Sequence, residues 1–210
     1  MPETAPLDPA LDRRIVIIGS SGAGKTTLAR QLSGRLNAAM FDLDELHWGP
    51  DWTPKPRDEF VGALQQAATG EVWTASGNYQ SVRELLWSRA TTLIWLDYRF
   101  ATVFSRLFVR SVRRLLHREV LWQGNRESWR ATFSSRQSIL WWLLTTYHRR
   151  RREYRQLQRS DAYPHLRWIV LHTPAEAERL LAATPLRGQS DPERTGTPNN
   201  EIPSYRHGLR

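Results

Sequence analysis

The chain has 210 residues, a formal net charge of +9 and 40% hydrophobic residues, which suits one substantial domain with a real core. It contains no cysteine, which excludes a disulfide framework, a thiolate zinc site and a thiol nucleophile. The positive charge favours anionic ligands, whether nucleotides, phosphorylated substrates, nucleic acid or acidic lipid, without choosing among them.

In chain order, the opening MPETAPLDPALDRR is polar and proline-rich, with no basic stretch followed by an apolar core. Residues 1–12 therefore read as a flexible leader rather than a signal peptide. RIVII (Arg14–Ile18) reads as a buried strand, followed by a glycine loop and a helix from Lys25 to Leu36. AMFDL (Ala39–Leu43) is a second strand. PRDEFVGALQQAA (Pro56–Ala68) opens as helices do, with proline and then acidic residues in the first turn. EVWTAS (Glu71–Ser76), TTLIWLD (Thr91–Asp97) and LRWIVLH (Leu166–His172) are three further strands, and PAEAERLLAA is a closing helix. Near-continuous apolar strands alternating with helices predict a parallel sheet covered on both faces.

Between the fourth and fifth strands, Tyr98–His165 has a helical pattern. Arg99–Arg167 carries sixteen arginines against Glu119, Glu127, Glu153 and Asp161, about +12 in integer charges. Within it, Leu140, Trp141, Leu144 and Tyr147 recur at helical spacing and predict the buried face of a helix that starts near Ser135 and runs into the arginine-rich RRRREYRQLQR. That helix end reads either as a solvated terminus or as a nucleic-acid contact. The most apolar stretch, Ser138–Tyr147, is too short to span a bilayer. Residues 185–210, rich in Pro, Gly, Asn and charge, read as a disordered tail, which leaves 13–184 as the domain of a cytoplasmic protein.

The glycine loop fits G-x-x-x-x-G-K-[ST] between a strand and a helix. Gly19, Ser20, Ser21, Gly22, Ala23, Gly24, Lys25, Thr26 and Thr27 are its nucleotide-binding candidates. The glycines let successive backbone N–H groups turn toward phosphate oxygens, and the helix start adds its positive dipole end. Lys25 would reach the β- and γ-phosphates and Thr26 would offer a hydroxyl to Mg²⁺. Only two of the thirty basic residues are lysines, Lys25 and Lys55, so lysine stands where the loop needs a compact charge. Nothing in the sequence reads the base, so the triphosphate is ATP or GTP.

In FDLDELHW, Asp42 and Asp44 alternate with Phe41 and Leu43. A strand running through them would project both carboxylates from one face at the ligand-bearing end of the sheet. Asp42 could then serve Mg²⁺ and Asp44 the attacking hydroxyl. The alternative is a pair of helix-capping or loop aspartates. Direct metal binding by Asp42, Asp44, Glu45 and His47 has no spacing to support it.

The phosphate loop, DLDELHW, PDW, WTASGNY and LIWLD before an arginine-bearing helix together resemble the adenylate-kinase-like P-loop proteins called DNA topology modulation proteins, over Arg14 to Ala183. The resemblance implies a sheet ordered 2-3-1-4-5 and an arginine-rich lid at about 111–135. It also implies phosphate-clamping Arg106 and Arg110, and Arg126 with Arg130 closing the lid. Asn78, Tyr79 and Arg83 would face the acceptor, with His47, Trp48 and Trp52 nearby. The family reads D-G-N-Y where this chain has Ser76-Gly77-Asn78-Tyr79, so either Asp42 or Asp44 serves Mg²⁺ alone, with Asp97 ranked behind them, or catalysis is weakened. The expected function is Mg²⁺-dependent transfer of a γ-phosphate to a small acceptor. The alternative is a nucleotide-dependent nucleic-acid-binding protein with weak or no kinase activity.

Overall fold

The computed structural model describes residues 6–117, 139–160 and 162–186. The strands are β1 (Arg14–Gly19), β2 (Ala39–Asp42), β3 (Trp73–Ser76), β4 (Thr92–Leu96) and β5 (Arg167–Leu171). The helices are α1 (Lys25–Leu36), α2 (Leu43–His47), α3 (Arg57–Ala67), α4 (Arg83–Trp87), α5 (Phe100–His117), α6 (Ile139–Arg159) and α7 (Pro174–Ala183). The strands form one parallel sheet in the order β2-β3-β1-β4-β5, the order that the family resemblance implies.

Alternation along β1 divides the core in two. Ile15 and Ile17 join Leu28, Leu32 and Leu36 of α1, with Val103 and Leu107 of α5, on one face. Val16 and Ile18 join Phe60 and Leu64 of α3, with Trp73 and Leu93, on the other. Each such side chain contributes about 1.5–3 kcal/mol on burial, and a sheet covered on both sides requires apolar residues at successive positions.

Helix α6 belongs to both cores. Leu143 and Tyr147 pack on the α1 face, while Tyr154 packs on the α3 face. Between them Arg151 pairs with Asp97, one residue past β4, through Nε–Oδ1 at 2.5 Å and Nη2–Oδ2 at 3.0 Å. Arg155 adds a contact at 3.5 Å. Asp97 is only 4% exposed, so this two-pronged pairing satisfies a carboxylate that water does not reach. The helix thus lies across the carboxyl ends of the strands.

Three expectations change. Trp141 and Leu144 are exposed, and Leu143, Thr146, Tyr147 and Tyr154 form the inward face of α6 instead. The sheet end selects a stripe that includes 143, 147, 150 and 154, which an apolar count alone places out of phase. Residues 6–12 are not a loose leader, because Leu7 is buried and Asp12 accepts from Thr92 and Arg167. The expected lid at 111–135 begins inside α5, where Ser111 and Leu115 are buried. Its remainder, with Arg126 and Arg130, lies outside the described residues, as does most of the expected tail.

Asp97→Ala is expected to lower unfolding stability by about 3 kcal/mol, since it strands the guanidinium groups it pairs. Asp97→Asn, which keeps an acceptor, is expected to lose less. Urea denaturation of the two variants measures both.

Candidate functional site

Gly22 sits at φ +86, and a Cβ there would lie 2.8 Å from the carbonyl oxygen of Val103 and 2.9 Å from Cβ of Leu107. Glycine therefore lets α5 press directly onto the phosphate loop. Helix α1 starts at Gly24 with no side-chain cap and no acidic residue in its first turn, so its leading N–H groups remain for an anion. Ala23 is buried in the core, while Ser20 and Ser21 are partly exposed and Thr27 is exposed.

Asn78 fixes the loop from the β3 side. Its Nδ2 donates to the carbonyl of Gly19 at 2.6 Å and its Oδ1 accepts from the Gly19 N–H at 3.2 Å. Both ends of the amide are thereby used. Asn78 therefore braces the loop, a role the sequence reading did not assign to it.

Lys25 donates to the carbonyl of Ser20 at 3.3 Å. Part of its side chain is accessible, but the ammonium is desolvated, and its pKa is lowered to about 8. Burial is the largest cause, opposed by the charges of Asp44 and Asp42 and reinforced by Arg110 and Arg150. Arg106 also approaches the loop, with Nη2 3.7 Å from where a Cβ on Gly24 would stand.

The expected carboxylate pair is arranged differently from a strand alternation. Strand β2 ends at Asp42, which becomes the N-cap of α2 and accepts from the Asp44 N–H at 2.9 Å. Asp44 therefore lies in the first turn of a helix, because capping competes with strand continuation at a residue whose side chain can reach the next amides. The other oxygen of Asp42 accepts from the Thr26 hydroxyl at 2.7 Å. Ser76, the register partner of Asp42 on β3, donates to the same hydroxyl oxygen at 3.3 Å. Burial raises the pKa of Asp42, Asp44 adds to the rise, and the Thr26 hydrogen bond opposes it.

The donors gathered here are hard oxygens: two hydroxyls and one carboxylate. This set fits Mg²⁺, which takes one or two protein ligands and completes its shell with phosphate and water. Among the described residues no group of three or more His, Asp or Glu could hold a metal by itself. Asp97 is committed to Arg151 and Arg155, which removes the second-ranked acid from this role.

Asp44 Oδ1 accepts from the Tyr79 hydroxyl at 2.7 Å. Burial, then Asp44, holds the Tyr79 pKa far above its ordinary value, so the phenol keeps its proton for Asp44. The His47 ring packs against Trp48, Phe60 and Tyr79 at centroid distances of 4.8, 5.0 and 4.5 Å. The Arg83 guanidinium pairs with Glu153 at 2.5 Å and lies over the Trp87 ring, and Arg83 lines one small cavity with Asn78 and Tyr79.

Arg150 was hidden in the arginine run. It lies over the Trp142 ring at 4.6 Å and reaches the Asn78 carbonyl at 3.5 Å. Its charge is felt at Lys25. The available signal is helical phase, since 143, 147, 150 and 154 share one stripe.

No known protein family matches the chain. Mouse threonine synthase-like 1 is 27% identical over 120 residues, which are 50% of this chain and 16% of that protein's length. Shikimate kinase from Acinetobacter baumannii in complex with shikimate superimposes with a TM-score of 0.52 at 18% identity, covering 82% of this chain and 92% of that one. A gluconokinase from Sinorhizobium meliloti 1021 gives a TM-score of 0.47 at 17% identity, over 82% and 93%. The first of these structures defines the fold as that of the P-loop kinases. No helix among the described residues is long and apolar enough to cross a membrane.

Triphosphate binding is expected to depend on pH through Lys25. Binding requires the ammonium and so raises its pKa. Affinity should be level below about pH 8, where the free protein already carries the proton, and should fall above it by up to about tenfold per unit. Calorimetric titration with Mg·ATP between pH 7 and 9.5 checks this.

Proposed function

We propose that the chain is a Mg²⁺-dependent phosphotransferase that moves the γ-phosphate of ATP or GTP to a hydroxyl of a small acceptor. The observation that carries the proposal is the convergence at neighbouring strand ends of the loop lysine, the Thr26–Asp42–Ser76 contact and the tyrosine-held Asp44. The finer resemblance to DNA topology modulation proteins and a cytoplasmic location belong to the same proposal.

The loop amides and Lys25 would hold the phosphates, with Arg106, Arg110 and Arg150 adding positive charge around the transferring group. Thr26 and Asp42 would hold Mg²⁺, which when bound neutralises phosphate charge. In that arrangement the Thr26 hydroxyl presents its oxygen to the ion while donating its proton to Asp42. The acceptor oxygen attacks the γ-phosphorus as the bond to the β,γ-bridging oxygen breaks. The hydroxyl proton passes to Asp44, and the nucleoside diphosphate leaves. Tyr79 holds Asp44 in place and would act as a positioning residue.

Acceptor-dependent release of ADP from ATP tests the proposal, and Lys25→Ala is expected to abolish it. Asp44→Asn should lower turnover by about 10²–10⁴-fold while the affinity for Mg·ATP changes little. Equal losses in both would place Asp44 on the nucleotide instead. Ser76→Asp should bring no gain in rate at any Mg²⁺ concentration. The new carboxylate would crowd Asp42 across the β2–β3 register, and two close carboxylates disfavour joint ionisation.

A further inference from the structure

The surroundings of Asp44 differ from those of Lys25 in both charge and shape. Four cations approach the phosphate side: Lys25, Arg106, Arg110 and Arg150. Asp44 also adjoins a cluster of rings: Tyr79, which donates to it, packs with His47 and Phe60, and Trp48 and Trp52 continue the cluster from His47. Burial lowers the pKa of His47, so its ring is uncharged at neutral pH. The charges felt at His47 and Tyr79 are those of Asp44 and Asp42. Of the cations on the neighbouring elements, Arg83 pairs with Glu153 and Lys55 with Glu59 at 3.6 Å, and Arg57 at the start of α3 is exposed.

The rings are presented by a short hairpin. Trp48 bridges Pro54, the Gly49 N–H donates to the Thr53 carbonyl, and the Lys55 N–H donates to the His47 carbonyl, both at 2.8 Å. At its tip Asp51 and Trp52 adopt φ of 53 and 54, a conformation that strains a bulky residue. It sets the Trp52 ring edge-on to Trp48 at 5.9 Å. Trp52 is only partly buried, so the strain is not repaid by full burial in the core.

We propose that the acceptor is an uncharged hydroxyl compound with a flat or C–H-rich face, of the sugar, cyclic polyol or nucleoside class, seated on the His47–Trp48–Trp52 rings with one hydroxyl at Asp44. An acceptor bearing a carboxylate or phosphate would bring its charge to a wall of rings beside two carboxylates, with desolvation uncompensated. A ring face instead gains from stacking and apolar contact. This rests on the phosphotransferase reading.

The test uses the full chain and two sets of probes. The uncharged set is glucose, ribose, myo-inositol, adenosine and uridine. The anionic set is gluconate, shikimate, glycerate and AMP. ADP release from Mg·ATP and calorimetric binding of each probe without nucleotide are both read. The expected result is saturable binding and ADP release with a member of the uncharged set and none with the anionic set. Binding or phosphorylation of an anionic probe overturns the inference, and so does failure of every uncharged probe to bind. Loss of the phosphotransferase reading appears separately, as binding of an uncharged probe with no ADP released. Trp52→Ala should raise the KM for the accepted probe about tenfold with Mg·ATP affinity unchanged, and Trp52→Phe should recover most of the loss. Equal KM values in wild type and Trp52→Ala would also overturn the inference.

Discussion

The arrangement of the site depends on one buried carboxylate. Asp97 stands just beyond β4 and draws Arg151 and Arg155 onto it. Without a partner its charge would be costly in a place that water does not reach. Paired, it fixes a helix of 21 residues across the carboxyl ends of the strands. That crossing closes both hydrophobic cores and brings Arg150 to the loop. The charge that makes the insertion look like a solvated or nucleic-acid-binding face is thus partly consumed inside the molecule.

Close backbone approach is the second constraint. Gly22 admits α5 to the phosphate loop. Gly77, at φ +139, admits Leu43 at the start of α2, where a Cβ would meet the leucine side chain at 2.6 Å. Each glycine lets one helix move in by the thickness of a side chain. The first sets arginines over the loop, and the second sets the start of α2, with Asp42 and Asp44, against the β3 end. The two aspartates then divide by environment. Asp42 is enclosed by Thr26, Ser76 and the α2 cap, whereas Asp44 is held from one side by Tyr79 and adjoins the ring wall.

Strand periodicity, the phosphate-loop spacing and the helix starts are local properties, and the sequence by itself determined them. Apolar runs can be buried on both faces only in a covered parallel sheet, and a glycine-rich turn before a helix has few other uses. Those features predict a covered parallel sheet and the phosphate loop, while the strand order is what the resemblance of the motifs to a known family implies. The tertiary structure alone decided the partners of polar groups far apart in sequence. Asn78 bonds Gly19 across 59 residues, Arg151 bonds Asp97 across 54, and Arg83 bonds Glu153 across 70. A side chain able to bind a substrate is equally able to bind a backbone or an opposite charge, and composition does not say which lies within reach. The phase of α6 was decided in the same way. Its sequence offers several apolar stripes, and the sheet end with its buried carboxylate selects the one that carries Arg150.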